Sequence, residues 1–284
     1  MIISSNLAAQ SAANDLTKTS AALTKSLAKL SSGSRIVNAY DDAAGVAISL
    51  RFDAKIERAN AARDNVANAM SFTNTQDGYL KRISKTLNRM SELAMLSLDG
   101  TKSNEDRALY QNEFDQLQNY IAGVGSKEFN GVSLFSSANV QSVIDSEGSV
   151  FNMTGVDITS ATYSTVVGTP AFDANGNVTS TTGGADISST VNAATALGNI
   201  RTAITQLASD RATVGAFQSR LNMANDQLAA TIENFTAASS VIKDVDVARE
   251  STEFSRQNIL NQSTTAMLAQ ANQLPQSVLR LLPQ

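Results

Sequence analysis

Apolar residues recur at helical intervals over most of this chain, and the two ends carry the barest version of the pattern. In the C-terminal stretch from Asn258 to Gln284, Leu260, Met267, Leu274 and Leu281 fall seven apart, with Thr264, Ala271 and Val278 offset between them. That is the a/d spacing that lays one apolar seam along a helix. The N-terminal stretch answers it: Ile3, Leu7, Leu16, Leu23, Leu27 and Leu30 recur at spacings near three, four and seven among Ser, Thr, Ala and Asn. Neither end holds enough apolar sequence to cover its own seam. Each therefore needs a partner, from the other end of the chain or from a second copy.

The rest of the pattern divides in order. Residues 1 to about 32 read as a helix closed by Ser31-Ser32-Gly33-Ser34, with Gly33 suited to the left-handed closing position. Lys18, Lys25 and Lys29 sit four or seven apart and read as a solvated face. Asp41 and Asp42 then open a new helical run, where carboxylates complement the helix dipole and cap free amides. From Ala43 to Leu98 a long helix is expected, since the stretch has no Pro. Leu80, Ile83, Leu87, Met90 and Ala94 form its seam, and Lys81, Arg82, Lys85, Arg89 and Glu92 lie off it. A third helix is expected over Asp106 to Ile121, with Leu109, Phe114 and Leu117 inward and a stop at Gly123-Val-Gly125.

Then the composition changes. Between Lys127 and Arg201 there is no Lys or Arg, while Ser, Thr, Gly, Asn and Asp rise. Short β-type runs appear at Val140–Ile144, Val150–Met153, Val156–Ile158 and Tyr163–Val167, with turn signals at Ser146-Glu147-Gly148 and Thr154-Gly155. Asn175-Gly176-Asn177 and Thr181-Thr182-Gly183-Gly184 read as loop. Helical spacing resumes near Ser188 and runs to about Val245: Val214, Leu221, Leu228, Phe235 and Ile242 are seven apart, with Phe217 and Ala224 in the alternate position. Each long helix would extend on the order of 80 Å.

The expected fold is mainly α, a helical rod of antiparallel, coiled-coil helices from both ends of the chain with a small β-rich insertion between them. Its expected divisions are a terminal coiled coil (1–40 and 246–284), a helical rod (41–136 and 188–245), and a surface insertion (137–187) laid on the rod as hairpins. On this scheme Leu80, Leu87, Val214, Leu221, Leu228, Phe235 and Ile242 pack the rod. The terminal seams, Val278 included, serve assembly.

Composition narrows the chemistry. Aromatic residues make up 5% of 284 and Trp is absent, so the core is built from thin aliphatic stripes. A net charge of −4 without a Lys/Arg cluster argues against nucleic acid as partner. There is no Cys and no His. That excludes disulfides, thiolate metal sites, Cys nucleophiles and Ser/His or HExxH arrangements. Paired Asp41 and Asp42 lack a third ligand type, and Gly123-Val-Gly125 lacks a downstream Gly-Lys-Ser/Thr, so neither reads as a metal or phosphate site. No cofactor is expected. The start, Met-Ile-Ile-Ser-Ser, resembles no cleavable signal, and no apolar run approaches the roughly 20 residues needed to cross a bilayer.

Two longer motifs carry a resemblance. Leu30-Ser-Ser-Gly-Ser-Arg-Ile36 followed by Asp41-Asp-Ala-Ala-Gly-Val-Ala-Ile48 resembles the N-terminal signature of bacterial flagellins. Val245-Asp-Val-Ala-Arg-Glu250, with Ala266-Met-Leu-Ala-Gln-Ala-Asn-Gln-Leu-Pro-Gln-Ser-Val-Leu-Arg-Leu-Leu282, resembles the C-terminal one. The resemblance implies a non-enzymatic subunit of the flagellar filament, secreted unfolded through the flagellar export apparatus to an extracellular filament. It implies as partners other copies of the chain, an export chaperone and a filament cap. It also implies terminal helices that order on assembly, which fits seams that need a partner. Leu87-Asn88-Arg89-Met90-Ser91-Glu92-Leu93 matches the run by which an innate immune receptor recognises some family members; Arg89 and Glu92 fit, while Asn88 and Leu96 stand where that pattern has glutamine. Pro283-Gln284 closes the chain where the family usually ends in Arg. A hook–filament junction protein is the alternative structural reading. An enzyme in the insertion is the alternative class, with only scattered acids (Asp145, Glu147, Asp157, Asp173 and Asp186) to serve it.

Overall fold

The structure is a computed structural model that describes residues 6–172 and 178–279, with side chains described throughout except at 172 and 274–279. Ile3 and Leu281 lie outside the described residues, as do the side chains of Leu274 and Val278. The described chain forms helices α1 (Leu7–Ser32), α2 (Ala43–Leu98), α3 (Asn104–Gly125), α4 (Ala161–Val167), α5 (Thr190–Lys243) and α6 (Val247–Leu279). Three antiparallel pairs join β1 (Glu128–Phe129) to β2 (Val132–Ser133), β3 (Val140–Val143) to β4 (Val150–Met153), and β5 (Thr169–Phe172) to β6 (Val178–Thr182).

Local chemistry sets the helix ends. Asn6 Oδ1 accepts from the Ala9 amide to start α1, and Gly33, at φ 68°, closes it in the left-handed region that a side chain would strain. Asp42 Oδ1 accepts from the Gly45 amide at 2.8 Å to open α2. A Cβ at Gly45 would meet Asp42 Oδ2 at 2.5 Å and Ile36 Cδ1 at 2.9 Å, so a larger residue there displaces the capping carboxylate. Ser103 and Asp106 form a reciprocal capping box at α3. From the same turn Arg107, buried, donates through Nε to the Ser97 carbonyl and through Nη2 to that of Asp99, both at 2.9 Å, satisfying acceptors at the end of α2.

Contacts divide the chain into two compact units. One comprises the chain ends, up to Ile56 and from Glu233 onward; the other is Glu57–Ile232. In the second, Leu80, Ile83, Leu87 and Met90 of α2 are fully buried with Phe114 and Ile121 of α3 and Ile187, Ile200 and Val214 of the α5 side. A second cluster sets Ala59, Ala62 and Val66 of α2 with Leu221 and Leu228 of α5 under Phe151 and Met153 of β4. The alternation of β4, with Phe151 and Met153 inward and Val150 exposed, is what seats its hairpin on the helices. Phe151 also stands edge-on to Phe217 and under the Arg220 guanidinium. Each such buried aliphatic or aromatic side chain contributes roughly 1.5–3 kcal/mol.

Four expectations need correction. Tyr163–Val167 is not a strand: α4 occupies Ala161–Val167 and buries Tyr163, Val166 and Val167. Their i, i+3, i+4 spacing suits one helical face, and burial overrides the β-preference of Thr and Val. Val156 and Ile158 are buried in the core but pair with no strand. The stretch around Thr181 is not a loop, because β6 ends there and returns against β5. Leu109 is 67% exposed, so the inward face of α3 begins at Phe114. Two smaller shifts accompany these: α3 runs on through Gly123 to Gly125, and the α1 lysines Lys18, Lys25 and Lys29 have carboxylate partners in Asp15, Asp41 and Glu250.

Gln118 holds the insertion to α3 in a way the pattern conceals. Its Nε2 donates to the Val166 carbonyl at 2.7 Å and the Ala185 carbonyl at 2.8 Å, in a site 3% exposed. Gln118→Ala leaves both carbonyls without that donor, so the expected loss is about 2–3 kcal/mol, read from urea melts of the purified chain. An unchanged midpoint would mean water replaces the amide.

Candidate assembly surface

The terminal unit is built on α1 and α6, which run antiparallel. Asn6 Nδ2 donates to the Ala271 carbonyl at 2.8 Å, the Thr19 and Thr264 hydroxyls lie 3.4 Å apart, and Ser26 Oγ donates to Glu250 Oε1 at 2.6 Å. Lys29 Nζ reaches the other Glu250 oxygen at 3.6 Å. The stripe of α1 that faces α6 is thus lined by small and hydroxyl side chains alternating with Leu16, Leu23 and Leu30, all half-buried. On α6 the matching stripe is Phe254, Gln257, Asn261, Thr264, Leu268 and Ala271, spaced three and four. Polar groups at such seam positions cost stability and fix register.

The expected seam residues consequently split. Thr264 and Ala271 face α1, with Ala271 8% exposed. Leu260 and Met267 do not: they are 41% and 66% exposed. Leu7 and Leu27 are exposed as well, and Ile259, absent from the heptad reading, is 64% exposed. A sharper signal was available in the sequence, since residues 257–279 contain no Asp, Glu, Lys or Arg. An uncharged helix with large apolar side chains outward is a surface awaiting a cover.

The linkers below this pair are latched together. Ser34 bridges Asp244 as an isolated antiparallel pair, the Arg35 amide donates to the Lys243 carbonyl, and the Val245 amide donates to the Gly33 carbonyl at 3.1 Å. Phe52 and Phe235 stack at 5.5 Å between centroids, so Phe235, half-buried, packs inside the terminal unit; Ile242 is half-buried a heptad later. Lys243 Nζ bonds Asp53 Oδ2 at 2.8 Å, and Lys25 Nζ meets Asp41 Oδ1 at 2.7 Å.

These pairs set a pH dependence. The Lys243 ammonium holds the Asp53 carboxyl below its ordinary value, Lys25 does the same to Asp41, and Asp41 in turn raises Lys25. A carboxyl depressed in the native state contributes stability that is complete above its unfolded value, near 4, and is lost as pH falls through the native value. Melting temperature should therefore hold from neutral pH to about pH 5 and fall steeply below about pH 4. Asp53→Asn should melt lower at neutral pH and show a shallower acid limb; a parallel acid limb would remove Asp53 from the account.

Arg89 and Glu92 are solvent-facing, and the Arg89 guanidinium is already engaged by Glu113 at 2.7 and 3.0 Å and by Glu92 at 3.0 Å. Those carboxylates raise Arg89, and Arg89 lowers Glu113. Among the described residues no group of three acids forms a metal-binding cluster, and no helix is long and apolar enough to cross a membrane.

Known proteins match both ends of the chain. A family model for the bacterial flagellin N-terminal helical region matches residues 3–140, and one for the C-terminal helical region matches residues 197–282. The flagellar filament 30.7 kDa core protein of Treponema maltophilum is 35% identical over 99% of this chain and 100% of its own length. Flagellins of Halalkalibacterium halodurans and Bacillus subtilis are each 35% identical with the same coverage. A crystal structure of Bacillus cereus flagellin superposes with a TM-score of 0.47 at 25% identity, covering 58% of this chain and 88% of that one.

Proposed function

This chain belongs to the bacterial flagellin family, and we propose that it is the structural subunit of a flagellar filament used for motility, polymerising through its terminal helices. The observation that carries this reading is the exposed, charge-free apolar face of α6, at Ile259, Leu260 and Met267, beside exposed Leu7 and Leu27 of α1. Contact between copies removes that surface from water, and the apolar gain offsets the entropy of ordering the ends. A contact between different faces of identical copies is heterologous, and it propagates as an open helix where its rotation does not close a ring, as a filament requires.

Leu16, Leu23 and Leu30 then hold α1 to α6 within a copy, while Ile3, Leu7, Leu27, Leu260, Met267, Leu274, Val278 and Leu281 serve contact between copies. Leu80, Leu87, Val214, Leu221 and Leu228 keep the Glu57–Ile232 unit folded as it repeats. Delivery goes through the flagellar export apparatus with its chaperone, and growth occurs beneath a filament cap outside the cell. The absence of Cys and His supports a role without catalysis. Names of relatives that are filament core proteins favour the filament over the hook junction. The test is electron microscopy of the purified chain seeded with filament fragments: long helical filaments are expected, and persistent monomer would refute the reading.

A further inference from the structure

The terminal unit holds a groove as well as a ridge. Leu16, Ala21, Thr24 and Ala28 of α1, with Val37 and Tyr40 of the following linker, line a groove of about 680 Å³. Small side chains on the α1 wall leave it open, and the Tyr40 ring stands 81% exposed at its mouth. Its one cation, Lys25, is neutralised by Asp41 at 2.7 Å, so the groove presents no net charge.

We infer that this groove receives the Leu260–Met267 ridge of α6 from a second copy, an inference that rests on the filament reading above. Three observations fit that occupant. The ridge lies in the uncharged run 257–279, so no charge is buried against the neutral groove. The groove follows α1 from Leu16 to Ala28, about 18 Å at helical rise, and the two knobs of the ridge are about 10 Å apart, so both seat at once. The same copy's ridge is exposed rather than seated, so its own groove does not take it. Groove and ridge are different surfaces of one chain, which makes the contact head-to-tail.

Because the chain has no Cys, single introduced thiols report contacts between copies cleanly. Copies carrying Ala21→Cys and copies carrying Met267→Cys are mixed, polymerised and treated with a short bismaleimide. A double-mass band containing one chain of each kind is expected from mixed filaments only. Mixed filaments without that band overturn the docking and leave the filament reading standing; a wild-type chain that never polymerises overturns the reading itself. As a second arm, Ala21→Trp fills the groove. It should leave the monomer's helical signal unchanged and raise the critical concentration about tenfold or more, while Ala21→Ser does not. Normal polymerisation of the Trp variant would also overturn the docking.

Discussion

Removing residues 260–284 should leave a soluble, folded monomer that never elongates a filament. The deletion takes away the Thr19–Thr264 and Asn6–Ala271 contacts and with them the cover of the first half of α1. It also takes Met267 and the rest of the uncharged face. The Glu57–Ile232 unit is untouched, because both of its apolar clusters are built from residues inside that range. What remains of the terminal pair is the Glu250 contact with Ser26 and Lys29 and the latch between residues 33–35 and 243–245. The expected result is thus specific: circular dichroism loses the signal of the deleted helix and of the α1 turns that frayed with it, and the main thermal transition stays in place. Seeded elongation, followed by turbidity and microscopy, falls to nothing. Filaments growing from the truncated chain would place the assembly contacts elsewhere in the molecule.

The size of that effect follows from where the terminal apolar surface lies, and this was only half legible in the sequence. Heptads at Leu80–Leu87 and Val214–Leu221–Leu228 found buried positions, because between packed helices of one unit the long aliphatic residues have only the inward face to go to. The terminal heptads were a different case. A seam of Leu and Met marks a face that will be covered, but not by what. In α6 the close partner α1 takes the stripe of Thr264, Leu268 and Ala271, where small residues allow approach, and Leu260 and Met267 stay outside. Periodicity reports amphipathicity, and the assignment of faces to partners depends on shapes that no single helix reveals.

The insertion was less legible for a related reason. Tyr163, Val166 and Val167 can be read at strand or helix spacing over so few residues, and only the buried side of α4 decides. Gln118 gave no signal at all, since its partners are carbonyls 48 and 67 residues away. A polar side chain acquires such a role from tertiary placement alone. The boundaries at Gly33 and Asp42 fared better, because those residues act locally, whereas α3 begins at Asn104 rather than Asp106 through a capping box at Ser103 that the apolar spacing does not mark.

Phe114 and Leu109 offer the largest test of the folded core, because the spacing of α3 treats them alike and the structure separates them. Phe114 is fully buried in the cluster that joins α2, α3 and α5, while Leu109, five residues earlier, is 67% exposed. Phe114→Ala removes a ring from a close-packed interior and leaves a cavity that the flanking helices can only partly close. The expected cost is about 3–5 kcal/mol. For a unit of this size that is a fall in melting temperature on the order of 10 °C. Leu109→Ala exchanges one solvent-facing helix former for another and should stay within about 0.5 kcal/mol of the parent. Thermal melts of the two variants beside the parent decide it. Equal destabilisation would restore Leu109 to the core, and an unperturbed Phe114→Ala would mean that α3 melts apart from the rest of its unit. The first outcome on its own would turn the exposed side of α3 inward, which the capping box at Ser103 and the Arg107 tie to Ser97 and Asp99 do not allow without unwinding the start of the helix.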